Sequence, residues 1–373
     1  MTEKIRIGII FGGRSGEHEV SLMSARSVLS VLSPDKYEIT PIGITLEGDW
    51  VVGDDVLTSL EKGKTAELTR VMLLPEPREN TLYARTPSKS DQHLRPIAQL
   101  DVIFPVLHGT FGEDGTLQGL LEMTGLAYVG AGVLGSSVGM DKGLFKDVMR
   151  AHNIPVLESI VVSRGQVETG LESVLTLAEK LASYPLFIKP ANLGSSVGVS
   201  KCHSRSDLLE GLYEAARFDR RILIERGLEK PHEIEVSVLG NDAPLVSIPG
   251  EVIPSDEFYS YRAKYIDNQS ELLIPASLPE QVSEEIRQIA LRIYKVVDCA
   301  GMARVDFLVD RKDNSIYVSE INTIPGFTQI SMYPKLWEAS GLSYPALVDR
   351  LVELALERKQ DRDRTVRKYE GEQ

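Results

Sequence analysis

The stretch "ARVDFLVDRKDNSIYVSEIN", residues 303–322, contains two apolar runs on either side of a polar turn, which is typical of a β-hairpin. Side chains alternate between the two faces of a strand, so Arg304 and Asp306 share one face of the first strand. For the same reason Glu320 and Asn322 share one face of the second strand. The hairpin therefore predicts a cluster of charged and polar side chains on one face.

A three-residue turn at 312–314 sets Asp306 opposite Glu320 and brings two carboxylates, an amide and a guanidinium together. Hard oxygen ligands of this kind suit Mg²⁺, which binds few protein groups and completes its shell with water and phosphate oxygens. The alternative is a surface salt-bridge ladder, which contributes less than about 1 kcal/mol. Carboxylates inside apolar strands favour the metal site, because burying them without a partner is costly.

A second segment, "KPANLGSSVGVSK" (189–201), begins with a lysine and continues with glycines and serines. Such a loop can wrap phosphates through its backbone N–H groups, although in a Walker A loop the lysine follows the glycines. Taken alone, the loop is better explained as an ordinary flexible turn. Lys142 of "GMDK" offers a second ammonium group from a neighbouring helix. Together with the hairpin cluster, the two lysines predict a clamp for a nucleoside triphosphate.

Composition limits the class of protein. A chain of 373 residues suggests two or three domains, and 42% hydrophobic with 25% charged residues is typical of a soluble globular protein. A net charge of −13 argues against a nucleic-acid-binding protein. The apolar run near the N-terminus is too short for a signal peptide or a membrane span, so we expect a cytoplasmic enzyme without a membrane partner. Cys202 and Cys299 are predicted to be buried thiols.

Apolar runs alternate with helix-like stretches along the first third of the chain. Strands predicted at 5–11, 37–44 and 100–107 alternate with helices at 19–32 and 115–125. This βα alternation predicts a parallel sheet that binds ligands at the carboxyl ends of its strands. Residues 53–96 receive no assignment. Further predicted elements are helices at 140–152, 171–182 and 344–358, and strands at 154–162, 184–189, 221–228, 233–239, 303–309 and 315–321.

The chain resembles the ATP-grasp family and, within it, the D-alanine–D-alanine ligases. The resemblance rests on the motifs "GIIFGGRSGEHEVS" (8–21), "HGTFGEDGTLQG" (108–119), "GMDK", "KPANLGSSVG", "EFYSYRAKY" (257–265), "GMARVDF" and "EINTIPGFTQISMYP" (320–334). It implies an α/β fold, α+β in parts, of the ATP-grasp type with an N-terminal parallel-sheet, Rossmann-like domain. The implied domains are 1–130, a central ATP-grasp subdomain at 131–225, and a C-terminal ATP-grasp subdomain at 226–373 with a lid at about 250–270.

The resemblance implies that Lys142 and Lys189 contact the phosphates of ATP and that the loop of Ser195 and Ser196 closes over them. It places Glu225 and Leu228 in the hinge that binds adenine, and Glu233 at the ribose. Lys264 of the lid is a further expected ATP contact. Two Mg²⁺ ions, which Mn²⁺ can replace, are assigned to Asp306, Glu320 and Asn322.

The resemblance also assigns the two substrates. Glu17 receives the ammonium of the first D-alanine, with Ser195 and Tyr265 as its hydrogen-bond partners. His108 lies near that substrate, Ser331 and Met332 bind the carboxylate of the second D-alanine, and Arg304 with the Gly326 N–H forms an oxyanion hole. Without the resemblance, Glu17 is better explained as a favourable charge at a helix start.

The implied reaction joins two D-alanines through an acylphosphate at the expense of ATP, for peptidoglycan precursor synthesis, in a homodimer. Aromatic residues of the lid, Tyr259, Tyr261 and Tyr265, are predicted to exclude water. Two other classes stay open: a small-molecule kinase that stops at the phosphorylated product, and a non-catalytic nucleotide-sensing module. Within the family, D-lactate and D-serine are rival second substrates.

Overall fold

The computed structural model describes residues 3–86, 93–253, 271–366 and 368. Within these residues the strands form three sheets, and none of the helices has the length and apolarity that crossing a bilayer requires. The strands are β1 (Ile5–Gly12), β2 (Tyr37–Ile44), β3 (Trp50–Val52), β4 (Thr69–Leu73), β5 (Thr81–Thr86), β6 (His93–Gln99), β7 (Val102–Val106), β8 (Ala127–Tyr128), β9 (Ser159–Ser163), β10 (Leu186–Pro190), β11 (Ser200–Cys202), β12 (Arg221–Arg226), β13 (His232–Gly240), β14 (Leu245–Val246), β15 (Gly250–Ile253), β16 (Glu271–Leu273), β17 (Gly301–Val309) and β18 (Ile316–Asn322). The helices are α1 (His18–Val31), α2 (Val56–Glu61), α3 (Thr116–Thr124), α4 (Val133–Met140), α5 (Lys142–Ala151), α6 (Arg164–Leu181), α7 (Arg205–Phe218), α8 (Glu280–Val296), α9 (Met332–Ala339) and α10 (Tyr344–Asp363).

The N-terminal sheet has the strand order β6-β5-β4-β3-β2-β1-β7-β8. β1 pairs in parallel with β2 and β7, and β7 pairs in parallel with β8, as the βα alternation predicts. The unassigned segment 53–96 extends the same sheet in antiparallel fashion through β4, β5 and β6. The first sheet is therefore mixed. Its parallel half carries the loops that lead into the predicted site.

Two antiparallel sheets make up the rest of the fold. The order β11-β10-β12-β9 gives a four-stranded sheet that is covered by α6 and α7. The other sheet runs β16-β15-β13-β17-β18, with β14 also paired to β13, and packs against α8. Both cysteines are free and buried, as predicted.

The last helix packs against the first sheet. Leu347 and Leu351 of α10 share one apolar core with Ile7 and Phe104. Arg358 lies over the ring of Tyr128 at 4.2 Å, an arrangement typical of a cation–π contact. The end of the predicted third domain thus completes the core of the predicted first domain. The boundaries 1–130, 131–225 and 226–373 themselves stay a prediction.

Glycine at the end of β1 permits the turn into the site. Gly12 has φ of +90°, and a Cβ atom built there would lie 2.3 Å from the carbonyl oxygen of Ile44. A side chain at Gly12 therefore meets both backbone strain and a collision with an immobile strand.

We expect Gly12→Ala to lower the free energy of unfolding by about 2 kcal/mol or more, because strain at a left-handed position adds to the collision. Gly16→Ala is the matched control, since a Cβ at Gly16 meets no atom within 4 Å. Urea unfolding of both variants measures the difference. Equal stability of the two variants would show that β1 and β2 can shift to make room for a Cβ atom without loss of stability.

Candidate active site

The β17–β18 hairpin places the predicted metal ligands together. Arg304 pairs with Asn322 and Asp306 pairs with Glu320, as predicted. The Asn322 side-chain amide donates to Asp306 at 3.0 Å. The predicted turn, however, is wrong. Beyond the last pair, Val309–Ile316, a hydrogen bond of 3.0 Å from the Asp310 N–H to the Ser315 carbonyl closes a four-residue turn at 311–314.

A bulge reconciles the turn with the predicted register. The pairing shifts by one residue between Asp306 and Phe307, so the outer half of the hairpin is out of phase with its inner half. A longer turn and a bulge therefore compensate each other. The correct facing of the four polar side chains follows from two local irregularities that the sequence pattern does not reveal.

Three carboxylates form a row across neighbouring strands. Glu235 of β13 pairs with Asp306 on one side, and Glu320 of β18 pairs with it on the other. Like charges opposite one another on a sheet are destabilising unless cations lie between them. Arg304 supplies one cation: its Nε and Nη2 donate to Asp306 at 2.7 Å each, and its Nε lies 2.9 Å from Glu235 Oε2. Lys142 supplies another, with its Nζ 3.1 Å from Glu320 Oε2.

The donor set beside this row fits a hard divalent cation. A cavity of about 20 Å³, enough for roughly one water-sized particle, is lined in part by Lys142, Glu320 and Asn322. Among the described residues no three His, Cys, Asp or Glu side chains are placed to hold a metal by themselves. A metal here therefore depends on two carboxylates, one amide oxygen and ligands that are not protein, which is how Mg²⁺ is commonly bound.

Lys189 lies at the entrance of the glycine-serine loop and pairs with a buried carboxylate. Its Nζ donates to Glu225 Oε2 at 2.7 Å, and Lys146 of α5 pairs with the other oxygen. Burial alone would raise the pKa of Glu225, but the two ammonium groups lower it to about 2. The carboxylate is therefore ionised at neutral pH. Burial alone would lower the pKa of Lys189, but Glu225 and, more weakly, Glu320 and Glu233 raise it, so Lys189 is charged at neutral pH.

The glycine-serine loop reaches the first domain. Ser195 and Ser196 have φ of 52° and 58°, a region that residues other than glycine rarely adopt. In this conformation the Ser195 hydroxyl donates to Glu17 Oε1. Cβ atoms at Gly109 and Gly194 would come within 2.3 and 2.6 Å of Glu17 Oε2. Glycine in two separate motifs thus lets two loops close around one buried carboxylate.

The loop that carries Gly326 is held by side chains of the first domain. His108 Nδ1 lies 3.0 Å from the Ile324 carbonyl, and Ser24 Oγ lies 2.9 Å from His108 Nε2. The Phe327 N–H donates to the same hydroxyl at 3.3 Å. Because a carbonyl only accepts, His108 donates from Nδ1 and accepts from Ser24 at Nε2. These bonds form a closed ring around the predicted oxyanion-hole loop.

A buried carboxyl group connects the same loop to the "HGTFGEDG" motif. Glu113 accepts from the backbone N–H groups of Gly109 at 2.8 Å and Ile324 at 3.1 Å. Burial and the negative charge of Glu17 raise the pKa of Glu113 to about 8. Burial and the positive charge of Arg304 lower the pKa of His108 to about 4. Both groups are therefore largely uncharged at neutral pH.

Ser331 lies next to Gly326 at the start of α9. A Cβ at Gly326 would lie 3.1 Å from Ser331 Oγ, and Ser331 is the N-cap of the helix that begins at Met332. Its hydroxyl is 2.7 Å from Thr328 Oγ1. A hydroxyl beside a helix N-terminus is a favourable place for a carboxylate, because the first N–H groups and the helix dipole face it.

The matches to known proteins agree with this geometry. Residues 6–131 match the family model described as "D-ala D-ala ligase N-terminus", and residues 148–353 match "D-ala D-ala ligase C-terminus". The chain belongs to the D-alanine–D-alanine ligase family. It is 48% identical over 363 residues to the D-alanine–D-alanine ligase of Natranaerobius thermophilus. The match covers 97% of this chain and 98% of the relative. The predicted family and the predicted fold class are confirmed.

Two solved structures show the family fold. The D-alanine–D-alanine ligase of Coxiella burnetii is 37% identical with a TM-score of 0.80, and the match covers 97% of each chain. The VanG D-Ala:D-Ser ligase of Enterococcus faecalis is 33% identical with a TM-score of 0.82, and the match covers 95% of this chain and all of that one. The chain is therefore a ligase of this family, and the polar cleft between its three sheets is the candidate active site.

The cleft brings together the predicted site residues that the structure describes. The contacts described above pair the following predicted residues: Glu17 with Ser195, Lys142 with Glu320, Lys189 with Glu225, Asp306 with Arg304 and Asn322, and Gly326 with Ser331. His108 holds the Gly326 loop, and Ser196 follows Ser195 in the glycine-serine loop. Leu228 and Met332 are buried, and Glu233 follows β12 on β13. Lys264 and Tyr265, with Tyr259 and Tyr261, lie outside the described residues, and their roles stay predictions.

Sequence reasoning missed four residues of the cleft. Lys146 has a detectable signal, because it lies four residues after Lys142 and therefore on the same face of α5. Glu235 has the same kind of signal, since a strand places it on the face of Glu233. Glu113 belongs to a quoted motif but was given no role. Ser24, inside an ordinary amphipathic helix, carries no signal at all.

The hydrogen-bond ring around His108 predicts a pH-dependent stability. The pKa of His108 is about 4 in the folded chain and about 6.5 when unfolded, so the unfolded state binds the proton first and stability is lost as the pH falls between these values. His108→Gln keeps one donor and one acceptor but does not titrate. Between pH 7 and pH 4 we expect the parent to lose about 3 kcal/mol more than this variant.

Urea unfolding at the two pH values measures this difference. His203→Gln is the matched control, because His203 is exposed. Its pH dependence should equal that of the parent. If His108→Gln also follows the parent, protonation of His108 does not oppose folding.

Proposed function

We propose that this chain joins two D-alanine molecules into D-alanyl-D-alanine, with ATP converted to ADP and phosphate, for peptidoglycan precursor synthesis. Membership of the family supports ATP use and D-alanine substrates. One observation carries the proposal: Ser195 of the predicted phosphate loop donates to Glu17, the predicted seat of a substrate ammonium. A phosphate site and an amino-acid site thus share one hydrogen bond.

The reaction needs an activated acyl group. A carboxylate is a poor acyl donor because oxide is a poor leaving group. Transfer of the γ-phosphoryl group to one carboxylate oxygen of the first D-alanine makes an acylphosphate. The amine of the second D-alanine attacks the carbonyl carbon, the C–O bond to phosphate breaks, and the amine loses a proton. Water must stay out, because it would hydrolyse the acylphosphate.

The cations of the cleft support the first step. Phosphoryl transfer depends mainly on positioning and on neutralising charge. We assign the phosphates of ATP to Lys142, Lys189 and the Ser195-Ser196 loop. The nucleoside is assigned to the end of β12 and the start of β13, with Leu228 at the adenine and Glu233 at the ribose. The carboxylate of Glu225 is occupied by two lysines, so we assign its adenine contact to its backbone.

Asp306, Glu320 and Asn322 are proposed to hold two Mg²⁺ ions, which Mn²⁺ can replace. When bound, the metal would screen the negative charge of the triphosphate. Lys142 and Arg304, which pair with these carboxylates in the structure, also have other partners that can hold them when a metal binds. Lys142 also donates to the Leu193 carbonyl at 2.9 Å, and Arg304 lies beside Glu235. Glu235 is therefore suited to keep Arg304 in place while Asp306 serves as a metal ligand.

Arg304 and the Gly326 N–H are proposed to stabilise the oxygen that becomes negative when the amine attacks. One donor of this kind contributes about 3 kcal/mol to the transition state. The ring of Ser24 and His108 holds the Gly326 loop on both sides. His108 therefore acts on the first substrate chiefly through this loop. Ser331 and Met332 beside it would bind the carboxylate of the second D-alanine.

A second candidate is a ligase that takes D-serine as its second substrate. The likeness to the VanG D-Ala:D-Ser ligase, at 33% identity over the whole of that chain, favours including it. A small-molecule kinase is disfavoured by the seat at Ser331, which a kinase does not need. A homodimer without nucleic-acid or membrane partners, located in the cytoplasm, completes the proposal.

A product assay tests the function. The chain is incubated with ATP, Mg²⁺ and a panel of D-amino and D-hydroxy acids, and the products are separated by mass. We expect D-alanyl-D-alanine, ADP and phosphate in equal amounts. D-Alanyl-D-serine as the main product would identify the second candidate. ADP without any dipeptide would indicate a kinase, and no turnover at all would indicate a sensing module.

We expect Glu17→Gln to raise the KM for the first D-alanine by about tenfold or more while the KM for ATP changes little. The reason is that a charge-assisted hydrogen bond to an ammonium contributes about 1.5–3 kcal/mol. Steady-state kinetics with each substrate varied in turn measures both constants. Glu19→Gln, in the exposed part of the same helix turn, is the control. Parallel changes in both constants would instead indicate a defect in the β1–α1 loop.

A further inference from the structure

Lys146 is a buried charge to which the proposed reaction gives no role. Its side chain is 1% exposed, and it pairs with Glu225, whose side chain is 2% exposed. An ammonium that is removed from water costs several kcal/mol unless it is paired. A methionine or leucine would fill the same space without that cost. The charge itself therefore needs an explanation.

The explanation lies in what the partner of Lys146 also holds. Glu225 uses one oxygen for Lys146 and the other for Lys189, at 2.7 Å. Lys189 is more open than the other two, with 16% of its side chain exposed towards the cleft. Two ammonium groups and one carboxylate leave one net positive charge. If Glu225 paired with Lys189 alone, the negative charge of Glu225 would cancel the positive charge of Lys189.

We propose that Lys146 is a positioning residue for the nucleotide phosphates: it neutralises Glu225, so that Glu225 can orient Lys189 without cancelling its charge. This inference rests on the proposed function, because it assumes that Lys189 contacts phosphate. It adds a third lysine, which lies behind the phosphate site and touches no substrate.

The geometry of α5 supports this division of labour. Lys142 and Lys146 are one helical turn apart, so both point from one face of the helix towards the cleft. Lys142 reaches Glu320 in the metal row, whereas Lys146 reaches Glu225 behind Lys189. Burial lowers the pKa of Lys146, and the charge of Glu225 opposes that change. A single helix thus supplies one cation to Glu320 in the carboxylate row and another to Glu225 behind Lys189.

The test compares two ligands that differ in their phosphates. Lys146→Met keeps an unbranched side chain that is one atom shorter and removes the charge. Calorimetric titration of the full chain with a non-hydrolysable ATP analogue and with adenosine measures each affinity. We expect the analogue to bind about tenfold more weakly than to the parent, the loss typical of one charged hydrogen bond. Adenosine, which has no phosphate, should bind within about twofold of the parent.

Two further variants keep the test decisive. Lys146→Met combined with Glu225→Gln removes opposite charges together and leaves Lys189 uncancelled, so the ratio of analogue to adenosine affinity should return towards that of the parent. Lys180→Met, on the exposed side of α6, should change neither affinity. In kinetics, Lys146→Met should raise the KM for ATP and leave the KM for D-alanine unchanged.

Three results would overturn the inference. Equal losses for the analogue and adenosine would mean that Lys146 builds the nucleoside pocket. A double variant with a lower affinity ratio than Lys146→Met would mean that charge balance is irrelevant. Unchanged affinities in Lys146→Met would leave the lysine without this role, although the proposed function would stand. A parent chain that does not bind the analogue would overturn the proposed function itself.

Discussion

The cleft of this chain depends on the pairing of ionised groups that are largely removed from water. Each carboxylate of the row formed by Glu235, Asp306 and Glu320 lies against a cation, and Glu225 lies against two. Unpaired, any one of them would cost several kcal/mol. In the proposed function the same charges would suit a triphosphate and a metal, because each of these needs groups of the opposite charge. Binding would then exchange partners among charges that are already in place, which requires little reorganisation.

Glycine determines how closely the three parts of the fold approach one another. Glu17 is enclosed by Gly109 from the first sheet and Gly194 from the phosphate loop, and neither position has room for a Cβ atom. His108 and Glu113 then connect the first domain to the loop around Gly326. The glycines of these motifs thus serve contact between domains rather than flexibility. Charged groups from distant segments come within hydrogen-bond distance because the glycines at the points of contact have no side chain to hold the segments apart.

Local patterns in the sequence predicted the secondary-structure elements and the side chains that share one face. They predicted turns and individual side-chain partners less well. Period-two alternation placed Arg304, Asp306, Glu320 and Asn322 on one face, since a strand leaves no other choice. The same pattern gave a wrong turn, because neither the bulge nor the left-handed Asn314 changes the order of polar and apolar residues. Ser24 contacts His108, a partner far away in sequence, which a local pattern does not reveal. Segment 53–96 stayed unassigned because its strands pair at the edge of a sheet, where half-exposed positions blur the alternation.

The packing of α10 on the N-terminal sheet has a consequence for how the chain is made. A ribosome releases the first sheet long before the last helix, yet Leu347 and Leu351 belong to the same core as Ile7 and Phe104. Until α10 is made, the part of this core that α10 covers stays open, although α1 already packs on the same core through Leu22 and Val28. Domains usually fold in the order in which they emerge. Here the core around the earliest strands is completed only by a helix that is made much later, and until then the nascent chain exposes part of a hydrophobic surface.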